Sequence, residues 1–210
     1  MWRHIAAGVV TVFSWLHTSP ELNRLGVRQT QLAKPEVNRK CLVKKPTGCK
    51  LGTIMHPITI AALFALQCFH VLFLALHDWI PLGSLNDLKA VRMANPIHKL
   101  VSGTLISVTP FAIGLYASAI HLGGAYPSWL VWWLWISYSL LFIGELEAWW
   151  VPYLFRSEPI RAARYQSMFG TTHAFLPERK GIRPNTLHVI LHLATLATLI
   201  VLASLTVARE

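Results

Sequence analysis

Four stretches of the chain are apolar for about 20 residues or more, the length a helix needs to cross a bilayer core about 30 Å thick. They run over 57–77, 97–122, 128–150 and 186–207. The spacing within them is helical rather than alternating. In the first, Gln67, His70, Leu74 and His77 follow at steps of three, four and three, which places them on one helical face. In the second, Thr104, Ser107, Phe111, Gly114, Ser118 and His121 form a similar stripe, with small residues that permit close helix approach. In the fourth, His188, His192 and Thr195 share a face. The pattern predicts an all-α integral membrane protein, a four-transmembrane-helix bundle with a polar interior and a long loop between helices three and four.

Punctuation along the chain supports these limits. Asn95-Pro96 is expected to cap and start the second helix, and Pro184-Asn185-Thr186 the fourth. Gly123-Gly124-Ala125-Tyr126-Pro127 makes a tight turn between the second and third, predicting antiparallel neighbours. Pro110 should kink the second helix, and Pro152 should stop the third. Trp129, Trp132 and Trp133 at one end of helix three, with Trp149 and Trp150 at the other, read as two aromatic belts.

Residues 1–54 differ. Their apolar run near the start (IAAGVVTVFSWL) is too short to span, and residues 17–54 are polar, basic and without apolar period, which predicts a disordered segment. Residues 55–210 then form the transmembrane domain, and Met55, directly before His56-Pro57, is an alternative start of translation.

Composition agrees with the pattern. Of 210 residues, 54% are hydrophobic and only 13% charged, whereas soluble domains are about a quarter charged. Three cysteines exclude a disulfide framework, and the absence of any C-x-x-C argues against thiol redox chemistry. Cys41 and Cys49 could pair if their segment is extracytoplasmic, and Cys68 is a small core residue. The Lys and Arg of a basic nucleic-acid binder would need to line a water-facing surface, which so apolar a chain does not offer; the net charge of +10 divides instead, residues 1–54 holding nine basic and two acidic residues, and residues 55–210 only ten against seven. No nucleic-acid partner is expected. The basic residues of the bundle gather in loops 78–96 and 153–184, whereas the turn between helices two and three has none. The positive-inside rule places those loops in the cytoplasm and the C-terminus outside a cell membrane, though the nine basic residues before helix one argue the other way. Anionic lipid headgroups are the expected partners of these loops, and a homo-oligomer is possible. Glu158-Pro159 should begin a short amphipathic helix with Ile160, Ala163 and Phe169 on one side and Arg161 and Arg164 on another.

Ionisable residues in a membrane are costly, so they mark candidate sites. Glu145, Glu147, His77, His188, His192 and the loop residue His173 converge on the loop side. Near the C-terminal end of helix three, the macrodipole disfavours both glutamates. Two residues apart, they point about 200° from each other, so one should face the bundle and the other the interface. Glu145, Glu147, His192 and His173 are candidate acid–base residues. His188-x-x-x-His192, with His77, is a candidate set for a divalent metal. His70, facing His192, is a candidate haem ligand. The more ordinary role of such histidines is to tie helices together. The expected function is that of a small membrane enzyme acting on a lipid-like substrate at the cytoplasmic face, with a proton-coupled carrier, or a haem-binding or accessory subunit without catalysis, as the alternatives. HDWIPLGSLND and RYQSMFGTTHAFLP also have motif-like residue choice without an assigned role.

Overall fold

The computed structural model describes residues 51–155 and 158–207, with side chains from residue 58. The expectations for the basic leader, the start at Met55 and the Cys41–Cys49 pair lie outside these residues or their side chains. Among the described residues there are helices and no strand. They are α1 (Leu51–Leu76), a short 3-10 turn (Gly83–Leu85), α2 (Leu88–Ala94), α3 (Ile97–Ile120), α4 (Ser128–Glu145), a π-helical turn (Leu146–Trp150), α5 (Val151–Leu154), α6 (Pro159–Phe169) and α7 (Thr186–Val207). Four are long and apolar enough to cross a membrane: Ile58–Leu76, Ile97–Ile120, Ser128–Leu154 and Thr186–Val207.

Their packing follows a ring, α3–α1–α7–α4 and back to α3. Consecutive spans run in opposite directions, so every neighbour in the ring is antiparallel. Leu63, Leu130, Leu134, Tyr138, Leu202 and Leu205 make the core. Because lipid tails are as apolar as leucine, close packing and interhelical hydrogen bonds hold such a bundle together. At Gly114 a Cβ would lie 3.0 Å from Leu134 Cδ2 and 3.5 Å from Trp133 Cδ1, so the missing side chain lets α3 and α4 approach. Trp133 Nε1 donates to Pro110 O across the same contact (3.0 Å), and α3 runs unbroken through Pro110.

The helix boundaries correct two expectations. Asn95 does not cap α3. It closes α2, its amide Nδ2 donating to Val91 O (3.1 Å), while Pro96 occupies the position before α3 with its carbonyl accepting from Lys99 and Leu100 N–H. Asn185 does cap α7, its Oδ1 accepting the His188 N–H at 3.0 Å. At the α3–α4 turn, Gly123 has φ 86°, a conformation that favours glycine.

Pro152 does not stop the third span. The helix continues through the π turn to Leu154. A proline inside a helix leaves the carbonyl four residues back without its donor. Here that carbonyl, Ala148 O, accepts the Tyr165 hydroxyl of α6 at 2.6 Å, so the chain passes the proline with the carbonyl satisfied.

Two segments beyond the spans lock together at one end of the bundle, called here the loop face. Asn86 folds residues 77–86 into a compact turn, donating to His77 O (2.7 Å) and Ile80 O (2.9 Å) and accepting from Leu82 N–H (2.8 Å). Asp87 then caps α2 by accepting the Ala90 N–H at 2.9 Å. The other segment docks on it: His173 N–H donates to Ser84 O (2.7 Å), Thr171 to Asp87 Oδ2 (2.9 Å) and Arg164 to Asn95 Oδ1 (3.1 Å). Both motif-like segments are thus the halves of one clasp.

Candidate functional site

Along the axis of the bundle runs a line of buried polar side chains. Gln67, His70, Ser118, Thr195 and Thr198 are each 0% exposed, and Glu145 and His192 are buried beside them. The stripes of α1, α3 and α7 therefore face inward. The two glutamates diverge as their spacing requires, Glu145 into the core and Glu147 to the exterior.

Thr195 is the centre. Its Oγ1 lies 3.1 Å from His70 Nε2 and 2.8 Å from Glu145 Oε1, so one hydroxyl joins α1, α7 and α4. Proton bookkeeping limits how these three groups can be arranged. His70 Nδ1 is 2.7 Å from Leu66 O, which only accepts, so Nδ1 carries a hydrogen. Leu191 O, also only an acceptor, lies 3.0 Å from the same hydroxyl and competes for its proton; with that proton directed along the triad instead, two arrangements are complete. In one, protonated Glu145 donates to Thr195 and Thr195 donates to the bare Nε2 of neutral His70. In the other, His70 is an imidazolium donating to Thr195, and Thr195 donates to the Glu145 carboxylate. The uncharged form avoids placing two charges in hydrocarbon. Moving the acid proton to Thr195 and the hydroxyl proton to His70 converts one into the other without displacing a heavy atom. The His70 ring is held by Tyr138 (centroids 5.0 Å, edge-on), Phe69 and Phe111. Glu145 Oε2, Tyr138 OH and Gln67 Nε2 are buried in the same core with no hydrogen-bond partner, while Gln67 Oε1 accepts from Ser118 at 3.0 Å.

Toward the loop face the polar line continues through rings. His192 Nδ1 accepts from Trp150 Nε1 (3.0 Å) and its ring centroid is 6.4 Å from that of His188. His188 lies 6.1 Å from His77, and His77 Nε2 faces Asp78 Oδ1 at 3.3 Å. His188 is enclosed by Trp149 (4.5 Å) and Phe169 (5.2 Å).

The other candidates fall as follows. His77, His188 and His192 form this file of rings, but among the described residues no three His, Cys, Asp or Glu are grouped to hold a metal ion. One nitrogen of each of His188 and His192 is already engaged, by Asn185 and Trp150. Both nitrogens of His70 are engaged, by Leu66 and Thr195, so an iron at that ring would have to displace one of them. His173 is exposed and belongs to the clasp, its Nδ1 2.7 Å from Thr186 Oγ1.

The second aromatic belt is corrected too. Trp149 is buried and Trp150 is bonded to His192, because the π turn rotates both toward α6 and α7. At the other end of α4, Trp129 and Trp132 are exposed as a belt requires, and Trp133 reaches Pro110. On α6, Tyr165 and Phe169 pack against Trp149 (4.7 and 5.1 Å) with Met168 buried, while Ile160 is 85% exposed. Phe169 is therefore on the docked side rather than with Ile160 and Ala163. Burial pushes the Tyr165 phenol above its ordinary pKa against the pull of Arg161 and Arg164, so it remains a hydrogen donor.

Comparison with protein-family models, with curated proteins and with solved structures gives no match. The class is defined by the architecture itself. Four long apolar helices, packed around buried polar side chains, are compatible with a polytopic membrane protein.

Proposed function

We propose that this polytopic protein moves protons through its bundle, as the coupling ion of a small carrier, with Glu145, Thr195 and His70 as the relay. One observation carries the reading: the Thr195 hydroxyl bridges a buried carboxyl and a buried imidazole on two other helices, and the triad has two balanced protonation states. His192, His188 and His77 continue the polar line to the loop face. Unpartnered Tyr138 OH and Gln67 Nε2 extend it toward the other end.

A second reading is a membrane enzyme acting on a lipid-like substrate, with Glu145 and His192 as acid and base. It draws support from an open hollow of about 330 Å³ at the loop face, lined by Pro81, Ser84, Asn86, Asp87 and Thr171 among others. None of Glu145, Glu147, His192 and His173 lines that hollow, so the carrier reading is favoured. The loop face is assigned to the cytoplasmic side of the cell membrane from its basic residues, with anionic headgroups as their partners. A second copy of the chain is the expected means of completing a transport path from so few helices.

Proton uptake into liposomes under an imposed potential tests the reading. The wild-type chain should acidify the lumen, Glu145→Gln should lose at least about tenfold of that rate, and Glu147→Gln should keep it. Flux equal to that of empty liposomes, or unchanged in Glu145→Gln, would overturn it.

A further inference from the structure

The π turn follows Glu145 directly, and with Pro152 just after it, it takes the α-helical donors from two carbonyls. The Val151 N–H bonds to Leu146 O, five residues back, so it does not reach Glu147 O. The next residue that could serve Glu147 O in π register is Pro152, which has no N–H. Ala148 O loses its α-helical donor to the same proline. Both orphan carbonyls face α6. Arg161 Nη1 donates to Glu147 O (3.3 Å) and the Tyr165 hydroxyl to Ala148 O (2.6 Å). Phe169, another four residues on, packs on Trp149 of the turn. Residues 161, 165 and 169 are one stripe of α6 at helical spacing, and each meets the π turn.

A π turn is an inserted residue, and it survives where the surrounding structure satisfies the groups it frees. Were the turn to relax to α-helix, everything between Glu145 and Trp150 would rotate by about 100°. Either Glu145 would then leave Thr195, or Trp149 and Trp150 would leave His188 and His192. The opposite side of α6 is open, with Ile160 and Ala163 exposed.

We propose that Tyr165 and Arg161 are positioning residues for Glu145: by binding the two carbonyls of the π turn they set its register, and the docking of α6 thereby controls the contact of Glu145 with Thr195. This rests on the relay reading above. Neither residue touches Glu145. They act through the backbone of residues 147 and 148.

The test uses the full-length protein in detergent or lipid and needs no substrate. Infrared spectra of wild type minus Glu145→Gln isolate the carboxylic-acid carbonyl band of Glu145, whose frequency reports hydrogen bonding at that carboxyl. Amide hydrogen exchange reports the turn. In Tyr165→Phe, which removes one hydroxyl, the band should shift and residues 149–151 should exchange about tenfold faster, the size expected for one buried hydrogen bond. Ile160→Ala, on the open side of α6, should change neither. An unmoved band in Tyr165→Phe, whatever the exchange, overturns the positioning role and leaves the relay standing. Where the wild-type difference spectrum shows carboxylate bands in place of the acid band, the triad is in its charged form and the shift is read from those bands, with the same two outcomes.

Discussion

At the scale of single residues, Thr195 is the junction of the bundle. In the sequence it is one polar residue on a shared face of an apolar helix, and the pattern reveals which way it points but not what it touches. Its partners come from helices about 50 and 125 positions away in the chain, and helical periodicity carries no information about that register. Gln67 and His70 were legible as inward residues for the same reason, and the divergence of Glu145 from Glu147 follows from their spacing alone. Tyr138 was not legible, because it lies in a stretch so rich in aromatics that no polar stripe marks its face. Replacing Thr195 by valine keeps the shape and removes the hydroxyl. His70 Nε2 and Glu145 Oε1 then lose their shared partner inside the bundle. Interhelical hydrogen bonds in membranes average about 0.6 kcal/mol, and leaving groups unsatisfied adds to the loss. The expected destabilisation is about 1–2 kcal/mol, measured by reversible unfolding in mixed micelles, with Thr195→Ser near wild type.

At the scale of elements, the four spans were visible as runs of apolar residues, and the structure moves their ends rather than their number. The failures share one cause. Asn95, Pro152, Trp149 and Trp150 were assigned from local chemistry, and tertiary partners decided each of them. Asn95 serves the short helix α2, hidden because seven residues hold too few periods to show. Pro152 is tolerated because Tyr165, thirteen residues on, caps the carbonyl it frees. The loop clasp has a titratable link. Asp87 receives the Ala90 N–H and the Thr171 hydroxyl, and these hold its carboxyl below the usual range. A depressed carboxyl contributes its stabilisation above the unfolded pKa and loses it as pH falls through the lower folded value. Exchange protection of the Ala90 amide should therefore persist through mild acid and fall only below the ordinary aspartate range. In Asp87→Asn it should be insensitive to pH across that interval. Protection that declines at an ordinary aspartate pKa would show that the two bonds do not favour the ionised form.

At the scale of the molecule, the bundle has a polar axis and an apolar exterior. Only 22–39% of each spanning stretch is buried within the chain, so most of the helical surface faces outward, as contact with a bilayer requires. That surface was foreseeable from a composition with few charges, and the division of the +10 charge bears on orientation. What composition could not reveal is that the buried polar groups on four helices meet in one line, because that depends on the order of helices around the ring. In the proposed function this line conducts protons through Thr195. That conduction is tested most directly by potential-driven proton uptake into liposomes, comparing wild type, Thr195→Ser and Thr195→Val at equal protein incorporation. The account predicts that serine, which keeps the hydroxyl, retains most of the flux, while valine reduces it at least about tenfold. Equal flux through the valine and serine variants would contradict it.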